Sequence, residues 1–477
     1  MSQPINFHPV ESFKERGRSV VNDPAQRKNF RSAMDFLQGK RRAQFPERQE
    51  LEGLRDLASA IRRYSLAQLP TLLEQLERNL TANGIQVHWA ENAEDANAIA
   101  LDIARRVQAR KIIKGKSMVS EEVDFNHRMQ EAGIEALESD MGEYIVQLAG
   151  EAPSHIIMPA IHKTKQQIAQ LFSEKVPGVP YSEDVDTLIQ VGRQVLRRKF
   201  AEADIGLSGV NFAVAETGSL CLVENEGNGR MCTTVPKVHI AITGIEKVVA
   251  KLEHVPPLYS VLTRSATGQA VTTYFNIITR PRQPGEKDGP EEVHLILLDN
   301  GRTQAYADAQ LRATLQCIRC GACMNHCPVY ARIGGHAYGT TYPGPIGAII
   351  SPHLRGLDQT YPLAFASTLC GACTEVCPVR IPITELLVRL RNEAQARPDS
   401  EDATLRGSGA GRTKLATAVW RGWSLVYSRL GLYRMTSWSM SRGRALSPID
   451  QGAWTRSRTP LVPAPKRLRD LLRKRRK

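Results

Sequence analysis

The sequence predicts an α/β fold in which a largely parallel sheet is covered by helices on both faces, followed by a separate small module. At 477 residues the chain is too long for one ordinary domain of about 100–200 residues. Between residues 84 and 300, short β-rich runs alternate with helical ones, which is typical of a parallel sheet with crossover helices. After Gly301 the sequence changes to helical segments that flank clustered cysteines.

The first 62 residues are polar and predict a helical segment that precedes the sheet. Leu51, Leu54, Leu57 and Ile61 recur at spacings of three and four, which places them on one stripe of a helix. Such an apolar stripe is the face that a helix normally buries.

Residues 63–300 predict the α/β domain, a doubly wound arrangement of strands and helices. A polar stretch rich in proline and glycine, residues 281–292, predicts a solvated loop before the last strand. The helices are expected at residues 93–106, 124–132 and 162–172. The strands are expected at residues 85–89, 111–113, 155–159, 211–215, 220–224, 238–243 and 293–298.

Residues 303–395 predict a small α-helical module. One helix is expected at residues 303–316, before the first cysteines, and another at residues 383–395, after the last. Two cysteine motifs and a glycine-rich stretch lie between these helices.

Residues 396–477 form a basic C-terminal extension. From residue 401 onward there are 18 Lys or Arg residues and four acidic ones, which accounts for the whole formal net charge of +14. Charge confined to this tail, without a helix-turn-helix signature, argues against nucleic acid as a partner. Aromatic residues interleaved with arginine are typical of segments that lie on an anionic membrane or in a groove of a partner. These aromatic residues are Trp420, Trp423, Tyr427, Tyr433 and Trp438.

The sequence predicts a cytoplasmic protein whose basic tail can reach the inner face of the membrane. No apolar run approaches the ~18 residues of a membrane-spanning helix. The first thirty residues contain no apolar core of a signal peptide. Because disulfides are disfavoured in the cytoplasm, the nine cysteines indicate metal binding or catalysis.

Seven of the cysteines fall in two related motifs. The first is C-x-x-C-x-x-C-x-x-x-C-P, and the second is its shortened copy, C-x-x-C-x-x-x-C-P. This is the spacing of bacterial two-cluster ferredoxins, in which the last cysteine of a motif binds the other cluster. Crossed ligation therefore predicts two [4Fe–4S] clusters. The expected ligands are Cys317, Cys320, Cys323 and Cys377 for the first cluster, and Cys327, Cys370 and Cys373 for the second.

Zinc is the main alternative metal, because paired C-x-x-C units also form tetrahedral zinc sites. A zinc site has no use for the third cysteine of the triplet or for two Cys-Pro endings. The remaining cysteines, Cys221 and Cys232, lie in the α/β part, where an isolated cysteine usually behaves as a small buried hydrophobe.

The second motif lacks one ligand. Aligning it on the first motif places Ser367 opposite Cys317, so the second cluster has three cysteines. It must take a fourth ligand from elsewhere, stay open at one iron, or exist as a three-iron form. We favour an open or weakly capped iron. The candidate substitutes are Ser367, Cys221, Cys232, His326, His336 and His353.

Four side chains of the α/β part are candidates for a ligand site: Glu216, Thr217, Ser219 and Lys116. The first three link two strands, where they could face a ligand at a sheet edge, although a hairpin turn with Gly218 is the favoured interpretation. Lys116 follows a strand in a Gly-Lys-Ser turn that could hold an anion. Arg110 stands where a P-loop requires its first glycine, which argues against nucleotide hydrolysis. No catalytic residue is predicted.

Three stretches of the chain together resemble the lactate utilisation protein B family. They are DIGLSGVNFAVAETGSLCLVENEGNGRM (204–231), GPEEVHLILLDNGR (289–302), and the pair CIRCGACMNHCPVY (317–330) and LCGACTEVCPVRIP (369–382). The resemblance implies an N-terminal lactate-utilisation (LUD) domain, with a fold like that of ribose-phosphate isomerases and CoA transferases. It also implies a dicluster ferredoxin-type module and a basic C-terminal extension.

The resemblance implies an iron–sulfur electron-transfer subunit of a complex that oxidises L-lactate to pyruvate and supports growth on lactate. The implied partners are a cysteine-rich protein and a second LUD protein. Two alternatives stay open at this point. The electron donor could be another 2-hydroxy acid, such as glycolate, or the protein could be an iron–sulfur sensor with a basic binding tail.

Overall fold

A computed structural model of the chain describes residues 13–397, 400, 403–447, 450–452, 455 and 459–475. The chain divides into two compact units, Met1–Ala410 and Gly411–Lys477. The strands, all in the first unit, are β1 (Gln86–Ala90), β2 (Lys111–Lys114), β3 (Glu135–Glu138), β4 (Ile205–Ser208), β5 (Phe212–Val214), β6 (Ser219–Glu224), β7 (Val238–Gly244), β8 (Val248–Val249), β9 (Tyr274–Ile278) and β10 (Glu292–Leu298).

Helices surround these strands in the same unit. Those before the fourth strand are α1 (Phe13–Val21), α2 (Pro24–Ala43), α3 (Arg48–Ala67), α4 (Leu69–Ala82), α5 (Ala93–Arg106), α6 (Met118–Glu122), α7 (Phe125–Glu131), α8 (Met141–Ala149), α9 (Lys165–Lys175) and α10 (Val185–Glu202). Those after it are α11 (Asn228–Cys232), α12 (Val255–Ala266), α13 (Arg302–Ala307), α14 (Ala322–Asn325), α15 (Tyr330–Ile333), α16 (Gly344–Arg355), α17 (Leu357–Phe365), α18 (Ala372–Val376) and α19 (Ile383–Gln395).

The main sheet is fully parallel, as the alternating sequence pattern predicts. Its six strands lie in the order β1-β10-β7-β4-β2-β3. Ile296 and Leu298 of β10 pack in the core that holds α5 and α7, whereas Leu295 and Leu297 pack in the core that holds α4. Both faces of the sheet are therefore covered by helices, and the carboxyl ends of the strands meet at one edge.

A second, smaller sheet lies in the same unit, with the strand order β8-β5-β6-β9. Strand β6 runs antiparallel to both β5 and β9, whereas β8 pairs with β5 in parallel. The sequence pattern predicts β5 and β6 but misses β8 and β9, as well as β3 and β4 of the main sheet.

Two predicted elements are wrong. Residues 155–159 form turns instead of a strand, because the Nδ1 atom of His155 accepts hydrogen bonds from the backbone amides of Ile157 and Met158. The helix expected at residues 303–316 ends early, at Ala307. There Asp308 accepts the amides of Gln310 and Leu311, and a 3₁₀ turn follows at Leu311–Gln316.

The N-terminal helices pack on the cysteine-containing module through a face that carries arginine. Leu57, one of the four residues of the predicted apolar stripe, is 47% exposed. The buried side of α3 instead includes Arg55 and Arg62. Arg62 is fully buried and donates to the backbone carbonyl groups of Leu315, Gln316, Val248 and Glu246. Arg55 donates to the carbonyl group of Cys377 at 3.0 Å.

The second unit contains helices α20 (Lys414–Ser428), α21 (Leu430–Arg442) and α22 (Leu468–Arg475). Neither α20 nor α21 has a buried residue. Trp420 is 65% exposed and Trp438 is 48% exposed, so the aromatic residues predicted to dock lie at the surface of this unit. Among the described residues, no helix is long and apolar enough to cross a membrane.

Candidate metal centre and adjoining cavity

Four cysteines from the two motifs line a single cavity in the first unit. Cys317, Cys320 and Cys323 come from the first motif, and Cys377 is the last cysteine of the second. The apolar side chains of Ile156, Ile318, Ile346, Val379, Ile381 and Ile383 complete its walls. A set of four thiols in an apolar pocket suits an iron–sulfur cluster, because thiolates are its usual ligands.

The two cysteine loops share an unusual backbone. Arg319 and Gly321 have positive φ angles of 61° and 73° in the first loop, and Leu369 and Gly371 have 55° and 86° in the second. Left-handed backbone at a non-glycine residue is uncommon, so its recurrence at matching positions marks a specific loop conformation. The loops are therefore structural repeats as well as sequence repeats.

Burial and mutual repulsion raise the pKa values of Cys320, Cys323 and Cys377. Burial raises the pKa of Cys320 to about 12, and charge on Cys377 and Cys317 adds to the shift. Burial likewise raises the pKa of Cys377 to about 11, with a further contribution from Cys317. No three His, Cys, Asp or Glu side chains of the described residues are grouped closely enough to hold a single metal ion. Buried thiols that line one cavity deprotonate when a metal neutralises them, so this donor set suits a larger metal cluster.

The remaining three cysteines form a second group. Burial raises the pKa of Cys373 to about 11, and charge on Cys327 and Cys370 contributes as well. Cys370 is exposed, whereas Cys327 and Cys373 are buried. The second group therefore lies nearer to solvent than the first.

A buried charge network that the sequence analysis misses lies beside Cys317. Glu246 accepts hydrogen bonds from Arg302 at 2.6 Å and from Arg319 at 3.1 Å. Although burial alone would raise the pKa of Glu246, the two guanidinium groups hold it at about 2. The guanidinium of Arg319 also lies 4.5 Å from the ring centroid of Tyr342. No local motif signals this network, because Glu246 lies more than fifty residues from either arginine in the chain.

The structure places Lys116 at a second cavity, which Arg319 also lines. The ammonium of Lys116 donates to the carbonyl group of Ile157 at 2.9 Å and lies 3.9 Å from the carboxylate of Asp140. Lys116 follows β2 and Asp140 follows β3, so both stand at the carboxyl edge of the parallel sheet, where α/β proteins bind ligands. Arg319 lines this cavity and the thiol-lined cavity, so it stands between them.

The other three candidates lie elsewhere: Glu216 and Thr217 are in the turn between β5 and β6, and Ser219 is the first residue of β6. Asn79 of α4 donates to the carbonyl groups of Ala215 and Glu216, and Asn83 donates to that of Thr217. The Glu216 carboxylate accepts the amide of Leu252, and Ser219 lies 3.4 Å from the hydroxyl of Thr279. The structure does not bring Glu216, Thr217 and Ser219 together with Lys116, and they have the contacts of a hairpin turn.

The two isolated cysteines are buried. Burial raises the pKa values of Cys221 and Cys232 to about 12, so both side chains stay as neutral thiols at neutral pH. Cys232 lies 3.6 Å from the hydroxyl of Ser139.

Comparison with known proteins identifies three segments of the chain. The LUD domain model matches residues 73–298, the 4Fe-4S dicluster domain model matches residues 313–381, and the model named lactate utilisation protein B, C-terminal, matches residues 389–477. The cysteine module is therefore an iron–sulfur binding module, and the α/β part has the LUD fold.

Several proteins are similar over most of the chain. Lactate utilization protein B of Bacillus pumilus is 42% identical and covers 98% of both chains. Its namesake in Bacillus subtilis is 42% identical over 85% of this chain and 86% of its own length. The electron transport protein YkgF of Escherichia coli, described as uncharacterized, is 47% identical over 80% of this chain and 79% of its own length. The chain thus belongs to the lactate utilisation protein B family, and it is an iron–sulfur protein with a role in lactate utilisation.

Proposed function

We propose that this protein is the electron-transfer subunit of a complex that oxidises L-lactate to pyruvate. It carries two [4Fe–4S] clusters in this proposal. Cys317, Cys320, Cys323 and Cys377 hold the first, and Cys327, Cys370 and Cys373 hold the second. An iron–sulfur cluster supplies one-electron transfer when bound.

The observation that carries the proposal is the position of Cys377 in the cavity of the first cysteine loop. Crossed ligation requires this exchange of the last cysteine between motifs. The grouping of Cys373 with Cys327 and Cys370 supports the same exchange in the opposite direction.

The reaction explains why two one-electron centres would be useful. Oxidation of L-lactate to pyruvate releases two electrons and two protons, and each cluster accepts one electron at a time. The names of the relatives, lactate utilization protein B, support this donor. The proposed partners are a cysteine-rich protein and a second LUD protein. In this proposal the three proteins together oxidise lactate.

The C-terminal unit is proposed to dock the complex on the inner face of the membrane, where respiratory acceptors lie. Its exposed aromatic residues and its excess of Lys and Arg support this placement, because such segments bind anionic lipid surfaces.

Two measurements test the proposed function. Protein purified without oxygen should contain iron and sulfide for two cubanes per chain, and should show two reducible signals by electron paramagnetic resonance. Deleting the gene in a host with no other lactate dehydrogenase should abolish growth on L-lactate, and the intact gene should restore it. Stoichiometric zinc without iron, or unimpaired growth, would contradict the proposal.

A further inference from the structure

The cavity that contains Lys116 has a volume of about 360 Å³. This lies in the range of ~300–1,000 Å³ that is typical of small-molecule sites. Its walls come from the carboxyl edge of the sheet, from helices α2 and α12, and from the first cysteine loop through Arg319. A molecule bound here would lie next to the side chain that borders the thiol-lined cavity.

One part of the wall is charged. The Nη2 atom of Arg319 is bound to Glu246, but its Nη1 atom is buried and has no hydrogen-bond partner. A buried guanidinium nitrogen without an acceptor costs free energy, which a bound carboxylate would recover. Lys116 supplies a second cation, which lies 3.9 Å from Asp140 and 3.8 Å from Glu143, and its side chain is 25% exposed.

Carboxyl groups stand in the same wall as these cations. Glu226 accepts the amide of Met141 at 3.0 Å, and burial, followed by repulsion from Asp140, raises its pKa to about 7. Glu224 already accepts the amides of Gly229 and Arg230. A carboxyl group with a pKa of about 7 can donate a hydrogen bond to a carbonyl group of a ligand when protonated, or accept one from a hydroxyl group when ionised. Glu226 can therefore bind either kind of ligand oxygen. In such a site Lys116 and Arg319 can bind the carboxylate of a ligand, and Glu226 can bind an oxygen on the neighbouring carbon. A 2-hydroxy or 2-oxo acid has both groups.

The wall formed by helices α2 and α12 is largely apolar. It includes Phe36 and Leu37 from α2, and Leu262 and Ala266 from α12. Phe36 is 60% exposed, which leaves much of its ring uncovered. A ligand with an apolar side chain would cover this wall, whereas the methyl group of lactate would leave most of it in contact with water.

We propose that this cavity binds a 2-hydroxy monocarboxylic acid, or its 2-oxo product, whose side chain is larger than that of lactate. The carboxylate lies toward Lys116 and Arg319, and the side chain lies along Leu262 and Ala266. The proposal rests on the proposed function for its choice of acid, and it adds the site on this chain and a preference for long apolar side chains. The cavity holds about a dozen waters at ~30 Å³ each, roughly twice the number of non-hydrogen atoms in lactate.

Calorimetric titration of the full-length protein, prepared without oxygen and with its clusters intact, tests this site. The probes are L-lactate, L-2-hydroxybutyrate, L-2-hydroxy-4-methylpentanoate and L-3-phenyllactate. Affinity should rise about fourfold for each added methylene group that reaches the apolar wall. The methyl ester of each acid, which has no carboxylate, should bind at least tenfold more weakly. Inorganic phosphate should not compete, since it cannot use the apolar wall.

Two variants localise the binding. Lys116→Met should weaken every acid at least tenfold, because it removes a cation and keeps the length of the side chain. Leu262→Phe narrows the apolar part, so it should weaken phenyllactate far more than lactate. Lys175→Met is the matched control, since Lys175 is exposed at the end of α9 and does not line the cavity. It should leave all affinities unchanged.

The outcomes separate this proposal from the proposed function. If no acid binds while both clusters and growth on lactate are intact, the site is wrong and the electron-transfer role stands. Equal affinity across the series would overturn the preference for long side chains. Competition by phosphate would show a general anion site instead of a site for these acids. Binding that survives Lys116→Met and Leu262→Phe would place the ligand elsewhere. Loss of the clusters from the unaltered protein would instead contradict the proposed function.

Discussion

Ser367 has the same backbone contact in the second cysteine loop that Cys317 has in the first. The Sγ atom of Cys317 accepts the amide of Arg319 at 3.4 Å, and the Oγ atom of Ser367 accepts the amide of Leu369 at 3.1 Å. Arg319 and Leu369 both have a left-handed backbone conformation. The hydroxyl of Ser367 therefore stands where a fourth thiol would complete the second group.

This equivalence predicts the effect of restoring the missing ligand. Ser367→Cys should convert the signal of the second cluster to that of a fully cysteine-ligated cubane and should slow its loss in air. A thiol gives up its proton far more readily than a hydroxyl, so it makes the stronger ligand. Ser367→Ala should leave the first cluster unchanged. Identical spectra and identical air sensitivity for Ser367→Cys and the unaltered protein would contradict this prediction.

Crossed ligation predicts that replacing the last cysteine of either motif affects the cluster of the other motif. Cys377→Ser should eliminate or shift the signal of the first cluster, although Cys377 belongs to the second motif. Cys327→Ser should act on the second cluster, although Cys327 belongs to the first motif. Iron content and electron paramagnetic resonance measure both effects, and Cys221→Ser is the control. If each variant instead loses the cluster of its own motif, the crossed assignment is wrong.

Arg319 should tune the potential of the first cluster. Its cation favours the more negative, reduced state, so Arg319→Gln should lower the midpoint potential by roughly 40 mV, equivalent to about 1 kcal/mol for one electron. The effect stays moderate because Glu246 already pairs with this arginine. A redox titration followed by electron paramagnetic resonance measures the shift. Arg332→Gln, the same charge change at an exposed position, should leave the potential unchanged.

Removal of residues 411–477 should separate docking from cluster binding. The shortened protein keeps all seven motif cysteines, so its iron content should be unchanged, while its sedimentation with phosphatidylglycerol vesicles should fall sharply. Each basic residue near an anionic surface contributes about 1 kcal/mol to binding. Vesicles of phosphatidylcholine alone are the control. Unchanged sedimentation with anionic vesicles at matched salt would argue for a protein partner instead.

His239 predicts a specific acid sensitivity of the sheet. Burial, followed by repulsion from His294, lowers the pKa of His239 to about 3, so the ring is neutral in the folded protein. An unfolded histidine takes up a proton near pH 6.5, so the stability of the folded state falls as the pH drops from about 6.5 toward 3. His239→Gln should flatten this dependence of Tm between pH 7 and 5. An unchanged slope in the variant would assign the acid sensitivity to other groups.

Sequence patterns predicted those parts of the structure whose signals are local. The helices at 93–106 and 383–395 have the predicted bounds, because apolar residues recur at helical spacing within each, and the Asn92 side chain caps the start of the first. The strand predicted at 155–159 does not form, because the backbone amides of Ile157 and Met158 donate hydrogen bonds to the ring of His155 instead of to a neighbouring strand. The charge network around Glu246 and the cavity wall from α2 depend on contacts between distant segments, which spacing alone does not reveal.

Arg55 and Arg62 depend on acceptors that are synthesised much later than the helix that carries them. Their acceptors, the carbonyl groups of Cys377 and Gln316, follow them by 322 and 254 residues. During synthesis the N-terminal helices leave the ribosome first, and these arginines gain their full set of acceptors only when the cysteine loops emerge. The packing of the N-terminal helices on the cysteine module can therefore be completed only late in synthesis, after most of the chain has left the ribosome.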